Sequence, residues 1–145
     1  MEKQGNGVVL FCYNNEQLDY TRFAILAATY AKKQLNLPVS LILDDGTKGW
    51  MEESHSKELL DATFDNFIID NDGVANKRNM RRHMDSPWTE FNAPFYNNTK
   101  HNVFTHTPYE KTLLIDTDYL LCNDFYNYIF DTDEPIALHL SLIHI

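Results

Sequence analysis

The sequence predicts an α/β fold in which helices flank a mostly parallel, open β-sheet. A continuous apolar run over residues 7–13 is typical of a strand that is buried on both faces. Helical spacing of apolar residues follows over 23–35, and a second apolar run occupies 39–43. Because parallel strands need a crossover connection, this strand–helix–strand order indicates a parallel sheet.

The first helix is predicted from apolar residues three and four positions apart. Asn14 and Asn15 supply turn and N-cap residues, and Gln17 follows Asn14 as in a capping box. Asn36 and Pro38 end the pattern. The predicted buried stripe consists of Phe23, Leu26, Ala27, Tyr30, Ala31 and Leu35.

The rest of the chain continues the alternation of helices and strands, except for one long stretch. Residues 70–99 show no regular pattern and carry a basic cluster, and a loop of that length in a compact domain is typically functional or mobile. The other expected elements are helices at 51–60, 99–106 and 125–130 and strands at 67–69, 112–115 and 135–138.

The 145 residues suit one domain with a hydrophobic core, which we expect over residues 1–139. The last six residues, 140–145, have the sequence that a common transposon-derived sequencing adapter would encode. We therefore expect a non-native tail there, and an incomplete domain before it.

The charge of the chain limits its partners. Twelve basic and 21 acidic residues give a formal net charge of −9, which argues against a nucleic acid polymer or a polybasic membrane contact. A single nucleotide is compatible with this charge if a divalent cation supplies the positive charge locally. The sequence has no run of membrane-spanning length and no apolar leader, so we expect no transmembrane segment and a cytoplasmic location. The two cysteines, Cys12 and Cys122, are expected to be core thiols rather than a disulfide.

The most informative segment is Asp116-Thr117-Asp118, which directly follows the apolar strand at 112–115. Ligands of open α/β sheets gather at the carboxyl ends of the strands. Two carboxylates separated by one residue can turn toward one cation, and hard oxygen ligands suit Mg²⁺ or Mn²⁺ completed by phosphate oxygens. The alternative is a solvated acidic turn, an interpretation that also covers the nearby Asp124, Asp131 and Asp133.

Residues 107–120, together with the opening strand–helix–strand unit, resemble the Rossmann-like A-type fold of glycosyltransferases, the nucleotide-diphospho-sugar transferase superfamily, nearest to its glycogenin-like and galactosyltransferase-like members. The resemblance covers most of residues 7–139 and extends to proteins of phages and environmental bacteria. It implies a nucleotide-diphosphate sugar donor, an unknown acceptor, and Mn²⁺ or Mg²⁺ as cofactor.

The same resemblance implies roles for individual residues. Asp118 would be the main metal ligand, and Asp116 would share the metal or hold the ribose hydroxyls. Tyr13 and Asn14 would line the base pocket, and Asp44 would lie beside the nucleoside. An aromatic ring can stack on a base and a carboxylate can accept ribose hydroxyls, but Tyr13 is equally typical of strand-end packing and Asp44 of an ordinary turn.

Lys77 and Arg78 are candidates for clamping the sugar diphosphate, because both side chains recognise phosphate well. Together with Arg81 and Arg82 they are explained about as well by a solvated basic loop. The third metal ligand that related families draw from their C-terminal part has no counterpart that we can assign in this sequence.

Three other functions are compatible with parts of the pattern. A phosphatase of the haloacid dehalogenase type also ends a strand in D-x-D, but normally the first strand, with Thr or Val where this chain has Leu120. A nucleotidyltransferase should show a glycine-rich loop after the first strand, where this chain has Tyr13-Asn14-Asn15-Glu16. A truncated or non-catalytic module that binds a nucleotide sugar would need only the donor half.

Overall fold

A computed structural model describes residues 3–14, 19–72, 80–82, 92–94 and 97–132 of the chain. The strands are β1 Asn6–Cys12, β2 Val39–Leu43, β3 Asn66–Ile69, β4 Met80–Arg82, β5 Asn92–Pro94 and β6 Lys111–Ile115. The α-helices are α1 Tyr20–Leu35, α2 Asp45–Ser54, α3 Lys57–Thr63 and α4 Val103–His106. Two 3₁₀ helices cover Asn97–Asn102 and Phe125–Asp131.

Four strands form one parallel sheet in the order β3-β2-β1-β6, which confirms the predicted fold class. In register, Leu10 of β1 lies between Leu41 of β2 and Ile115 of β6. β4 and β5 form a separate antiparallel pair. β1 therefore has a parallel neighbour on each side and lies in the interior of the larger sheet.

The apolar run of β1 is buried on both faces, as its sequence predicts. Val8, Leu10 and Cys12 pack into the larger core cluster with α1, whereas Val9 and Phe11 pack into a second cluster with Val103 and Tyr109. This alternation follows from the period of two along a strand. Elements on both faces of the sheet therefore hold its central strand.

The buried face of α1 differs from the predicted stripe. Only the last of the large residues is buried, and the face that meets the sheet is mainly alanine: Thr21, Ala24, Ala27, Ala28, Ala31 and Leu35. Phe23, Leu26 and Tyr30 are exposed, at 48%, 45% and 38%. Small side chains let a helix lie close to the sheet, so the stripe of large apolar residues that the spacing suggested is wrong for these three positions.

The helix boundaries also differ from the predictions. α1 begins after Asp19, whose side chain accepts the backbone N–H of Thr21, rather than after Asn14 and Asn15. Its C-cap is Asn36 in the left-handed conformation, with φ 54°, as the sequence indicates. The helix predicted at 51–60 is two helices, α2 and α3, because Ser56 caps a new helix through the N–H of Leu59.

Tyr109 ties the start of β6 to the middle of the sheet. Its ring is buried, and its hydroxyl lies 2.7 Å from Ser40 Oγ on β2. The ring covers Gly7 so closely that a Cβ there would come within 2.4 Å of ring carbons. Glycine at this position therefore allows the contact, and Tyr109 fixes where β6 and the aspartates after it lie.

Other predictions have mixed outcomes. Cys12 is buried but Cys122 is exposed, and neither forms a disulfide. No helix in the described ranges is long and apolar enough to cross a membrane. The strand predicted at 135–138 and the tail at 140–145 lie outside the described residues.

Candidate functional site

The sheet order creates a switch point at the carboxyl ends of β1 and β6. The chain adds β2 and then β3 on one side of β1, and later returns to place β6 on its other side. In open α/β sheets, ligands bind outside the carboxyl ends of the strands at such a reversal. Asp116 directly follows β6, and Tyr13 and Asn14 directly follow β1. The topology therefore brings the D-x-D segment beside the end of β1, where we also predicted ligand contacts.

Asp116 and Asp118 are both exposed and lie in a turn closed by a hydrogen bond from the Tyr119 N–H to the Asp116 carbonyl, 3.1 Å. The Asp116 carboxylate, with 56% of its side chain exposed, forms an ion pair with Lys100. Burial, followed by the negative charge of Asp118, raises the pKa of Tyr20 at the start of α1. Asp116 thus contacts Lys100, and the charge of Asp118 acts on the first turn of α1.

The donor set suits a cation that a ligand helps to coordinate. No group of three or more His, Cys, Asp or Glu side chains that could hold a metal is found among the residues that the structure describes. Mg²⁺ and Mn²⁺, however, are commonly bound through one or two carboxylates, with phosphate oxygens and water completing the shell. The number and chemical type of the donors at Asp116 and Asp118 suit that second kind of site.

The polar residues that follow β1 and β2 are used to cap helices. Asn14 accepts the N–H of Tyr20 at 2.8 Å through its side chain, and its own N–H donates to Thr47 Oγ1 at 2.8 Å. Asp44 accepts the N–H of Thr47 at 2.6 Å as the N-cap of α2. Asn14 and Asp44, which we predicted to contact the nucleoside, therefore lie at the carboxyl end of the sheet and join its two strand ends. Their contact with a nucleoside stays a prediction.

The side chain of Tyr13 is buried in the core of the protein. It is 6% exposed, its ring centroid is 6.3 Å from that of Phe11, and it belongs to the second core cluster. This placement agrees with the strand-end packing role that we kept as the alternative. Its role in lining a base pocket stays a prediction.

Charge at the end of β1 is arranged around Asp19. Partial burial opposes ionisation of this carboxylate, but hydrogen bonds from Thr21 and Asn14 and the guanidinium of Arg22 outweigh it and lower its pKa. Cys12, at the end of β1, has its pKa raised by burial and then by the charges of Asp19 and Asp44. The Cys12 thiol therefore stays protonated at neutral pH and does not suit a nucleophile.

Two contacts at this end of the sheet have no counterpart in our predictions. Lys100 reaches Asp116 across 16 residues of sequence, a pairing that no local pattern signals. Asp70, directly after β3, is buried and accepts a hydrogen bond from Asn102 at 3.0 Å. A sequence signal for Asp70 does exist, because it is the first polar residue after an apolar strand, as Asp44 and Asp116 are.

The predicted phosphate clamp consists of Lys77 and Arg78. Lys77 and Arg78 lie outside the described residues, and Arg81 and Arg82 form part of the short strand β4. Within the described part of the chain, the cationic side chain of Lys100 contacts the D-x-D segment at Asp116.

A cavity of about 380 Å³ lies away from the switch point, between α2, α3 and β3. Met51, Leu60 and Phe67 supply apolar lining. The charged lining is mixed, with two basic and two acidic residues: Lys48, Lys57, Glu52 and Asp61. None of the predicted site residues lines it. The cavity and the D-x-D segment are therefore separate features.

Comparisons with known proteins identify no relative: no family model matches the chain, and no curated protein or solved structure matches it.

Proposed function

We propose that this chain is the donor-binding part of a metal-dependent glycosyltransferase, which moves a sugar from a nucleotide diphosphate to an acceptor. The observation that carries the proposal is the position of Asp116 and Asp118, directly after β6 and beside the end of β1 in a parallel sheet. This is the edge where nucleotide ligands bind in open α/β folds.

In this proposal, Asp116 and Asp118 hold Mn²⁺ or Mg²⁺ against the diphosphate of the donor. A bound cation would neutralise the charge that grows on the leaving diphosphate. The exposure of both carboxylates supports the role, because a metal shared with a ligand must be reached from solvent.

Lys100 adds a positive charge at the same place. Its ammonium group contacts Asp116, so a diphosphate bound there would lie within its reach. A chain with net charge −9 needs such local positive charge to hold an anionic donor. We therefore add Lys100 to the residues of the proposed donor site.

The position of D-x-D in the fold favours this function over its two enzymatic rivals. It follows β6 rather than β1, unlike the usual arrangement in haloacid dehalogenase phosphatases. The chain leaves β1 through Tyr13 and Asn14, without the glycine-rich loop expected of a nucleotidyltransferase.

Titration calorimetry with uridine and guanosine diphosphate, in Mn²⁺ or in excess chelator, tests the proposal. The wild-type chain should bind one of them much more tightly with Mn²⁺. Asp118→Ala should weaken that binding by at least about 100-fold, because the loss of a residue that only supports a metal ligand already costs about 10- to 100-fold. Asp124→Ala, which removes another exposed carboxylate, is the matched control and should bind like wild type. Equal affinity of wild type and Asp118→Ala would defeat the metal assignment.

A further inference from the structure

A buried carboxylate stands where the chain leaves the sheet after β3. Asp70 is 3% exposed, and its backbone N–H donates to the Leu43 carbonyl at 2.9 Å, which extends the pairing of β3 with β2. One carboxylate oxygen accepts the N–H of Asp72 and the other accepts Asn102 Nδ2, both at 3.0 Å. Burial of a carboxylate is costly without such partners, so these bonds hold Asp70 in place.

The bond between Asp70 and Asn102 joins residues that are 32 positions apart. Asn102 is the last residue of the 3₁₀ helix Asn97–Asn102 and precedes α4. The bond therefore joins the first residue after β3 to a residue shortly before β6, and it fixes the point where the chain returns to the sheet.

The same helical turn is also attached at the opposite edge of the sheet. Lys100, two residues before Asn102, forms its ion pair with Asp116 after β6. β3 and β6 are the two edges of the four-stranded sheet, about 14 Å apart at three strand spacings. Residues 100–102 thus bridge the carboxyl ends of the strands, with Asn102 fastened to one edge and Lys100 to the other.

We propose that Asp70 is a positioning residue for the donor site. By holding Asn102, it fixes the 3₁₀ helix so that the Lys100 ammonium group lies beside Asp116 and the diphosphate. Asp70 itself touches neither the cation nor the donor. This inference rests on the proposed function for its effect on donor binding, whereas the bridging geometry stands without it.

The test uses two variants of the Asp70–Asn102 hydrogen bond: one adds a second carboxylate, and the other exchanges the two residues. Asn102→Asp removes the amide that donates to Asp70 at 3.0 Å and places a second carboxylate there, so the hydrogen bond is replaced by repulsion. The double variant Asp70→Asn/Asn102→Asp restores one amide and one carboxylate with their places exchanged. Asn127→Asp adds the same charge at an exposed position and serves as the matched control.

The first readout is amide hydrogen exchange, which needs no ligand. Asn102→Asp should speed the exchange of amides in residues 100–106 by about tenfold, the scale of one hydrogen bond to a charged group, and leave β1 and β2 unchanged. The exchanged pair and Asn127→Asp should match wild type. Where Asn102→Asp does not fold, Asn102→Ala removes the donor without adding charge and should show the same local effect.

The second readout is affinity for uridine or guanosine diphosphate with Mn²⁺. Asn102→Asp should weaken it by about tenfold, and the exchanged pair should restore it, which a merely destabilising change would not do. Unchanged exchange in residues 100–106, exchange that rises throughout the chain, or failure of the exchanged pair to restore both readouts would overturn the inference. If wild type binds neither nucleotide, the proposed function fails, and the exchange data still decide whether Asp70 holds the turn.

Discussion

Aspartates follow β1 and β2 in one part of the sheet and β6 in another, and their side chains have different partners in the two parts. On the side of β1 and β2, Asp19 and Asp44 accept backbone N–H groups at the starts of α1 and α2. On the side of β6, Asp116 and Asp118 are exposed, and Asp116 pairs with the flexible side chain of Lys100. These four aspartates thus divide into two helix caps and two side chains open to solvent.

The difference follows from what comes next in the chain. α2 begins directly after Asp44, so the side chain of Asp44 meets free N–H groups of the first turn. After Asp118 the next described helix is the 3₁₀ helix that begins at Phe125. A helix that begins directly after a strand therefore occupies the carboxylate there, as at Asp44, whereas no described helix begins at Asp116 or Asp118.

The largest effect expected from this comparison is on stability. Asp19→Ala should lower the free energy of unfolding by about 1–2 kcal/mol, because the N-cap bond to Thr21 is lost. The buried Thr21 hydroxyl also loses its hydrogen bond to Asp19. Urea unfolding at neutral pH measures the change.

Asp118→Ala is the matched control, since it removes a carboxylate that caps no described helix. Its free energy of unfolding should stay within about 0.5 kcal/mol of wild type. If Asp118→Ala is as destabilising as Asp19→Ala, Asp118 has a structural role and the comparison fails.

Much of the fold could be predicted because its signals are local. The apolar runs at residues 7–13, 39–43 and 112–115 each form a strand, and the strand–helix–strand order predicts the parallel sheet. The place of D-x-D after β6 follows from the same reasoning. These predictions succeed because burial of a strand on both faces leaves a continuous apolar pattern.

The remaining features depend on contacts between distant residues. Spacing alone could not show that α1 meets the sheet through alanines and exposes Phe23, because both faces of α1 carry apolar residues. The contacts of Lys100 with Asp116 and of Asp70 with Asn102 arise only when the strand order brings their strand ends together. The sequence is compatible with either stacking or packing for Tyr13, and its burial, which agrees with packing, depends on the surrounding fold.

A smaller effect should appear in the pH dependence of stability. The lowered pKa of Asp19 means that its charged form is favoured in the folded state, so its stabilisation is complete above the ordinary value of 3.8. That stabilisation is lost as the pH falls through the lowered pKa. Asp19→Asn keeps a capping oxygen but cannot ionise, so wild type should be more stable by about 0.5 kcal/mol at neutral pH, the usual contribution of a charge at a helix N-terminus.

Urea unfolding of both proteins from neutral to strongly acidic pH measures this effect. The difference in unfolding free energy should narrow steadily toward acid. A difference that is constant, or that grows as the pH falls, would show that the Asp19 charge does not favour the folded state.

The smallest expected effect on stability concerns Lys100, whose removal tests whether Asp116 is free to bind a cation. The Lys100–Asp116 pair is partly exposed on both sides, at 32% and 56%, so Lys100→Met should change the unfolding free energy by no more than about 0.5 kcal/mol. Removing the ammonium group should nevertheless tighten the binding of Mn²⁺ alone by about tenfold, because a single charge and a doubly charged ion about 4 Å apart repel by about 2 kcal/mol in water, and salt screens part of that repulsion. Titration with Mn²⁺ in the absence of nucleotide, followed by electron paramagnetic resonance, measures the change in affinity.

Lys48→Met, which breaks the pair with Glu52 on α2, is the control and should not alter Mn²⁺ binding. Weaker or unchanged Mn²⁺ binding in Lys100→Met would show that Asp116 is not a ligand of the cation, and that its exposure serves solvation alone.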